Sequence, residues 1–149
     1  MTPDPNTLKQ APILVVEDTQ MIRVLLTRHL KSEGFTSILE AADGQQALDL
    51  LATTHVELVL LDINMPVLDG VATLERIKAD PKLKDLTVIM VTAVDKIESV
   101  AQCIQLGAED YMPKLFNPIL LNARILSCLE KRWLRRQLHT LSAASPGPG

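Results

Sequence analysis

Aromatic residues are nearly absent: Phe, Tyr and Trp together make up 3% of the 149 positions. Any core must therefore be built from Leu, Ile, Val, Ala and Met. Cysteine occurs only at Cys103 and Cys128, which excludes a disulfide scaffold and fits a reducing compartment, the cytoplasm. No apolar run approaches the length of a bilayer span, and no basic-then-apolar signal segment opens the chain, so membrane insertion and secretion are not expected. No Walker loop or glycine-rich dinucleotide loop is present. His29, His55 and His139 fall on separate segments and suggest no metal site. A net charge of −3 gives no general reason to expect nucleic-acid binding. No internal repeat is found.

What is present is the material of one domain. Hydrophobic residues make up 47% and charged residues 22%, a globular balance. Charge is unevenly distributed. Residues 124–139 hold Arg124, Lys131, Arg132, Arg135 and Arg136 against Glu130 alone, so a basic C-terminal helix follows an acidic body. The expected division is a flexible leader over 1–10, a domain over 11–130, a helical extension over 131–141 and a flexible tail or boundary over 142–149, where Ser-Pro-Gly-Pro-Gly ends the chain.

Short apolar runs alternate with helix-period segments. Ile13–Val16, Leu58–Leu61 and Val88–Val91 read as strands buried on both faces; Phe35–Glu40 and Glu109–Met112 are weaker strands. Helices are expected over 19–33, with Ile22, Leu25, Leu26 and Leu30 inward and Gly34 as a cap, and over 44–53, with Ala47, Leu48 and Leu51 inward. Another carries Val71, Leu74, Ile77 and Lys78 and stops near Pro81. A fourth turns Ile97, Val100, Ala101 and Ile104 to one side, and the last spans 118–141. Five strand–helix pairs imply an α/β, flavodoxin-like, doubly wound parallel sheet of order 2-1-3-4-5 with an extended C-terminal helix. Ligands of such sheets gather beyond the carboxyl ends of the strands, at the switch point in strand order.

The residues just after the strands are therefore the informative ones. Glu17 and Asp18 follow the first, Asp62 the third, Thr92 and Ala93 the fourth, and Lys114 the fifth. Strands 1 and 3 are neighbours in the expected order, so three carboxylates converge. Anions that close raise one another's pKa, and a hard divalent cation relieves them. Mg²⁺ suits the set, because it takes one or two carboxylates, keeps waters and completes its octahedron with a phosphate oxygen. Lys114 adds a point charge and Thr92 a hydroxyl, a cradle for a phosphoryl group on Asp62. Taken singly, each residue has a plainer reading: Asp18 or Thr19 as a helix cap, Thr92 as a cap, Lys114 as a surface lysine, Tyr111 as a packing residue.

Taken together, they resemble the response-regulator receiver domain of two-component signalling, from about Pro12 to about Glu130. Asp62 lies 44 residues after Asp18, Thr92 lies 30 after Asp62, and Lys114 lies 22 after Thr92. Met65-Pro66 and Asp69-Gly70 match the loop after the acceptor, and Tyr111 matches the switch aromatic. The resemblance implies that Asp62 accepts a phosphoryl group from a phosphohistidine. Glu17, Asp18, Asp62 and the Asn64 carbonyl would hold Mg²⁺, and Thr92, Ala93 and Lys114 would bind the phosphoryl group. Thr92 and Tyr111 would switch the face made by the fourth helix, fifth strand and fifth helix. The implied partner is a sensor histidine kinase or a histidine phosphotransfer protein. A homodimer through that face or the C-terminal helix, and a removed output module, are left open.

Two features depart from the pattern. Leu115 stands where receivers have a proline joined by a cis bond. A cis bond to a non-proline costs roughly 2.5–4 kcal/mol, so a trans Lys114–Leu115 bond and an altered loop are expected, with displacement of Lys114 as the consequence. The last helix also runs long, with Leu134, Leu138 and Leu141 spaced as a short coiled-coil seam. A pseudo-receiver that binds partners without phosphorylation is the alternative function. A phosphatase of the haloacid-dehalogenase class wants a second Asp two residues after the first, and Asn64 stands there.

Overall fold

The computed structural model describes residues 3–93, 97–114 and 116–144, the last three by backbone alone. A short helix α1 (Pro5–Leu8) precedes β1 (Ile13–Val16), α2 (Gln20–Ser32), β2 (Ile38–Ala41), α3 (Gly44–Thr53), β3 (Leu58–Asp62) and α4 (Gly70–Ala79). β4 (Thr87–Thr92), α5 (Ile97–Leu106), β5 (Asp110–Pro113) and α6 (Pro118–Ala144) complete the order. The sheet runs β2-β1-β3-β4-β5 with every pairing parallel. β1 pairs with both β2 and β3, so the strand order reverses beside it, and the crevice opens there.

Strand alternation splits the core into two layers. Leu14, Val16, Val59, Leu61, Val88 and Met90 point to one face, where α3, α4 and α5 cover them. Ile13, Val15, Leu58, Leu60, Ile89 and Val91 point to the other, against Leu26 and Leu30 of α2 and Leu121, Ile125 and Leu129 of α6. Burial on both faces explains why β1, β3 and β4 are unbroken apolar runs rather than alternating ones.

Helix ends follow local chemistry. Asp43 and Asp69 cap α3 and α4 by accepting from Gln46 N and Ala72 N. At the end of α2, Gly34 sits at φ +95°, its N–H donating to Lys31 O while Phe35 N–H donates to Leu30 O, a Schellman closure. That closure places Phe35 in the core before β2 begins, so the strand starts later than Phe35.

Four expectations are corrected. The leader is not uniformly loose: Asp4 caps α1 by accepting from Asn6 N, and Leu8 and Ala11 are buried in the α2/α6 layer. On α2, Leu25 is exposed and the inward stripe is Ile22, Leu26 and Leu30, a narrower i, i+4, i+8 set. On α5, Val100 and Cys103 face the core, whereas Ile97, Ala101 and Ile104 form a second apolar stripe that faces outward. Both stripes have helical spacing, so the sequence alone could not choose between them. The C-terminal extension also does not leave the body at residue 130. Arg132 donates to Asp85 O at 2.6 Å, Arg135 pairs with Glu109 at 2.6 Å, and Arg136 pairs with Glu57. The basic charges are spent holding α6 along the amino-terminal edge of the sheet. Leu134, Leu138 and Leu141 remain exposed.

Candidate functional site

At the crevice, Glu17, Asp18 and Asp62 each offer a carboxylate oxygen, and these oxygens lie within 4.8 Å of one another. They form the one such cluster among the described residues. Glu17 and Asp62 are buried, at 1% exposure each, whereas Asp18 faces solvent. β1 and β3 deliver them: Val16 pairs in register with Leu61, so the residues that follow each strand come out side by side. Thr19, at the start of α2, makes no side-chain cap; its N–H donates to Glu17 Oε1 at 3.2 Å. Arg23 ties the same turn down by donating to Glu17 O at 2.7 Å, while its Nε lies 3.4 Å from Glu40 Oε1 on β2.

Lys114 reaches into the cluster. Its Nζ lies 3.0 Å from Asp62 Oδ2 and 3.4 Å from Glu17 Oε1. The expected displacement of the lysine does not occur; the Lys114–Leu115 bond itself lies outside the described residues. The backbone anchors the side chain, since Lys114 N–H donates to Thr92 O at 2.8 Å.

The protein itself satisfies these carboxylates only in part. Glu17 Oε2 and Asp62 Oδ2 are buried and have no aligned hydrogen bond, the latter meeting Lys114 as an ion pair only. Burial pushes the Asp62 carboxyl up to about 7, and the Glu17 charge pushes it the same way against the pull of Lys114. Burial also raises Glu17. For Lys114, burial works downward, but the Asp62 and Glu17 carboxylates outweigh it and the ammonium is held charged. Orphaned hard oxygens on two or three convergent carboxylates fit Mg²⁺ better than any softer metal.

Other predicted residues stand close by in different roles. The Asn64 N–H donates to Asp62 Oδ1 at 3.3 Å. Thr92 is buried, and its hydroxyl donates to Ala93 O at 3.2 Å rather than to the carboxylates. Tyr111 is turned outward at 37% exposure, with the Arg124 guanidinium 5.7 Å from its ring centroid. The loop after Asp62 holds a strained turn: Leu68 N–H donates to Pro66 O at 2.8 Å, which puts the β-branched Val67 at φ +69°. The sequence reading missed Arg23 entirely. Its signal was an arginine one helical turn beyond the acidic pair, indistinguishable from a solvated helix charge.

The family model for the response regulator receiver domain matches residues 13–126. This chain belongs to that family. The chemotaxis protein CheY of Pseudomonas aeruginosa is 34% identical over 80% of this receiver and 96% of its own length. The probable transcriptional regulator ycf27 of Porphyridium aerugineum is 36% identical over 83% of the receiver and 50% of its own length. The receiver thus spans about half the length of the ycf27 relatives it matches. Among solved structures, NtrX of Brucella abortus in complex with ADP superposes with a TM-score of 0.82 at 33% identity, covering 93% of the receiver and 31% of that chain. The receiver domain of the sensor histidine kinase PA1611 of Pseudomonas aeruginosa, with a magnesium ion in its active-site cleft, gives 0.73 at 28% identity over 80% and 97%.

Replacing Lys114 by glutamine tests the charge balance of this receiver site. The variant removes the cation that lowers the Asp62 pKa and also repels a bound divalent ion. Well above pH 7, Mg²⁺ is expected to bind the variant more tightly than the parent. The pH midpoint of binding should move upward, because Asp62 then holds its proton longer. Calorimetric Mg²⁺ titrations between pH 6 and 9 check both signs.

Proposed function

We propose that this receiver accepts a phosphoryl group on Asp62 from the phosphohistidine of a sensor kinase or phosphotransfer protein. The observation that carries the proposal is the meeting of Lys114 with Asp62 and Glu17 in a cluster of three carboxylates, where the buried Asp62 Oδ2 has no aligned partner. Glu17, Asp18, Asp62 and the Asn64 carbonyl would hold Mg²⁺. When bound, the ion offsets the carboxylate charge and draws negative charge from the incoming phosphoryl oxygens. A carboxylate oxygen of Asp62 attacks phosphorus, the N–P bond of the donor breaks, and the imidazole leaves with the bond pair and takes a proton. Hydrolysis of the acyl phosphate restores the carboxylate. Lys114 moves its ion pair from Asp62 to a phosphoryl oxygen, with the chain around Thr92 and Ala93 as the other wall. Positioning and charge stabilisation supply the catalysis.

The Thr92 hydroxyl is expected to exchange Ala93 O for a phosphoryl oxygen, and Tyr111 to move inward after it. The surface that reads out the change is α5–β5–α6. It already presents Ile97, Ala101 and Ile104 on α5, Tyr111 on β5, and Ile119 and Leu120 at the start of α6. Shifting such a switch from 1:99 to 99:1 takes about 5.5 kcal/mol of differential interaction. The output, appended or separate, would be controlled through this face, in the cytoplasm. No helix among the described residues is long and apolar enough to cross a membrane.

Intact-mass measurement after incubation with Mg²⁺ and acetyl phosphate tests the reading. One added phosphoryl mass is expected, absent in the Asp62→Asn variant and absent in EDTA. No added mass on the parent would leave a pseudo-receiver that binds partners without phosphate.

A further inference from the structure

α6 carries two stripes on opposite sides. Leu121, Ile125, Cys128 and Leu129 are buried against the sheet. From Ile125 to Leu134 the helix makes two and a half turns, so Leu134 projects away from the body. On that outer side Ser127, Lys131, Leu134, Leu138 and Leu141 are all exposed, the last two by 67% and 66%. Their spacing alternates between four and three residues, the repeat of a helix that lies alongside another helix. The side chains that hold this end of α6 to the body, Arg132, Arg135 and Arg136, reach Asp85, Glu109 and Glu57 from the inner side. The three leucines are left to solvent.

The charges beside the stripe fit a second copy of the same helix. With Leu134 and Leu141 at the d positions of a heptad, Lys131 and Leu138 take a, Glu130 takes g and Arg135 takes e. In a parallel pair of identical helices, each g residue faces the e residue five positions further along the other helix. For Glu130 that residue is Arg135, of opposite charge, and the twofold axis forms the pair twice. Glu130 has no ion pair within its own chain among the described residues. Arg135 holds Glu109, yet its side chain stays 59% exposed and has room for a second carboxylate. Lys131 would stand opposite its own copy, with Glu130 of that copy beside it. A single charged a position weakens such a pair but fixes its register.

We propose that the outer stripe of α6 pairs with the same stripe of a second copy of this chain, parallel and in register, through Leu134, Leu138 and Leu141. The two receiver bodies then lie on opposite sides of the helix pair, because the stripe and the buried face of α6 point in opposite directions. Three leucines per chain make a small interface, so the dissociation constant is on the order of 100 µM. Pairing uses a different surface from α5–β5–α6 and needs neither Mg²⁺ nor a phosphoryl group on Asp62.

The test is sedimentation equilibrium of the whole chain in EDTA, from about 10 µM to about 1 mM. A monomer–dimer equilibrium is expected. Leu138→Lys, at an exposed position outside the core, should raise the dissociation constant at least tenfold while the circular-dichroism spectrum keeps its folded form. Glu130→Arg should raise it about threefold, because the g and e positions then repel. Ile104→Lys, on the α5–β5–α6 face, should leave it as in the parent. In oxidised glutathione, a Leu141→Cys chain should become cross-linked to its copy, which an antiparallel pair would not allow. The parent, whose Cys103 and Cys128 are buried, should not. A chain that stays monomeric throughout the range, a dimer that survives Leu138→Lys, a dimer that Ile104→Lys dissociates, or a Leu141→Cys chain that gains no cross-link would overturn the proposal.

Discussion

Replacing Asp62 by asparagine is expected to make the metal-free protein more stable at pH 8.5, although it removes an ion pair. The folded chain holds the Asp62 proton up to about pH 7, whereas the unfolded chain releases it near the ordinary 3.8. A carboxyl raised on folding contributes fully below the unfolded value, and its contribution is lost as pH rises through the folded value. Stability in EDTA should therefore fall between about pH 4 and pH 7, with Glu17, also raised, steepening the decline. Asparagine resembles the protonated acid in shape and charge, so the variant should lack the Asp62 share of that decline. The difference at pH 8.5 is of order 2–4 kcal/mol in favour of the variant. Saturating Mg²⁺ should reverse the ranking, because it stabilises only the chain that keeps all three carboxylates. Urea denaturation at pH 5, 7 and 8.5, in EDTA and in Mg²⁺, gives the comparison. A parent that is the more stable protein at pH 8.5 in EDTA would refute the claim that burial and the Glu17 carboxylate disfavour the Asp62 charge.

Gly70→Ala is expected to be among the most damaging single methyl groups that can be added to this chain. Gly70 opens α4 directly beneath the acceptor strand, and its N–H donates to Ile63 O at 2.7 Å. An added Cβ would overlap the Asp62 carbonyl oxygen and lie 2.6 Å from Ile63 Cα. Both obstacles are backbone, so neither can rotate away. Either α4 lifts from the sheet or the Asp62–Ile63 peptide moves, and the second displaces the acceptor from its partners. A loss of about 3 kcal/mol in stability and a weaker Mg²⁺ titration are expected together. Gly34→Ala provides the contrast. Its Cβ would meet nothing closer than Lys9 Cδ at 3.5 Å, so only the φ of +95° is strained, at about 1 kcal/mol and with no effect on Mg²⁺. Denaturation and calorimetry on the pair separate close approach from backbone conformation. An alanine at 70 that binds Mg²⁺ as the parent does would show that the acceptor loop yields without cost.

The Asp69-Gly70 step thus has a steric meaning that its place in a motif did not reveal. The motif was visible as letters; its reason is a carbonyl oxygen contributed by β3. Lys114 makes the same point from the other direction. Leu115 in place of proline argued for a displaced lysine, yet Nζ stands 3.0 Å from Asp62 because the Lys114 N–H is bonded to Thr92 O. A long-range backbone bond outweighed a local preference. Arg23 could not have been singled out, since its partner is the carbonyl of Glu17 and carbonyls leave no trace in a sequence.

What the sequence determined by itself was the layered fold and the location of the acidic crevice. Three apolar runs too hydrophobic for a one-sided sheet required helices on both faces, and that arrangement carries the residues after strands 1 and 3 to one rim. Only the tertiary structure decided which of two equally spaced stripes on α5 turns inward, because the choice depends on which neighbours α4 and β4 supply. It alone placed Arg132, Arg135 and Arg136 against loops 26–79 residues away in the chain, converting a basic tail into three clamps. It also left two carboxylate oxygens buried without aligned hydrogen bonds, since desolvation belongs to the packed molecule and not to any one residue.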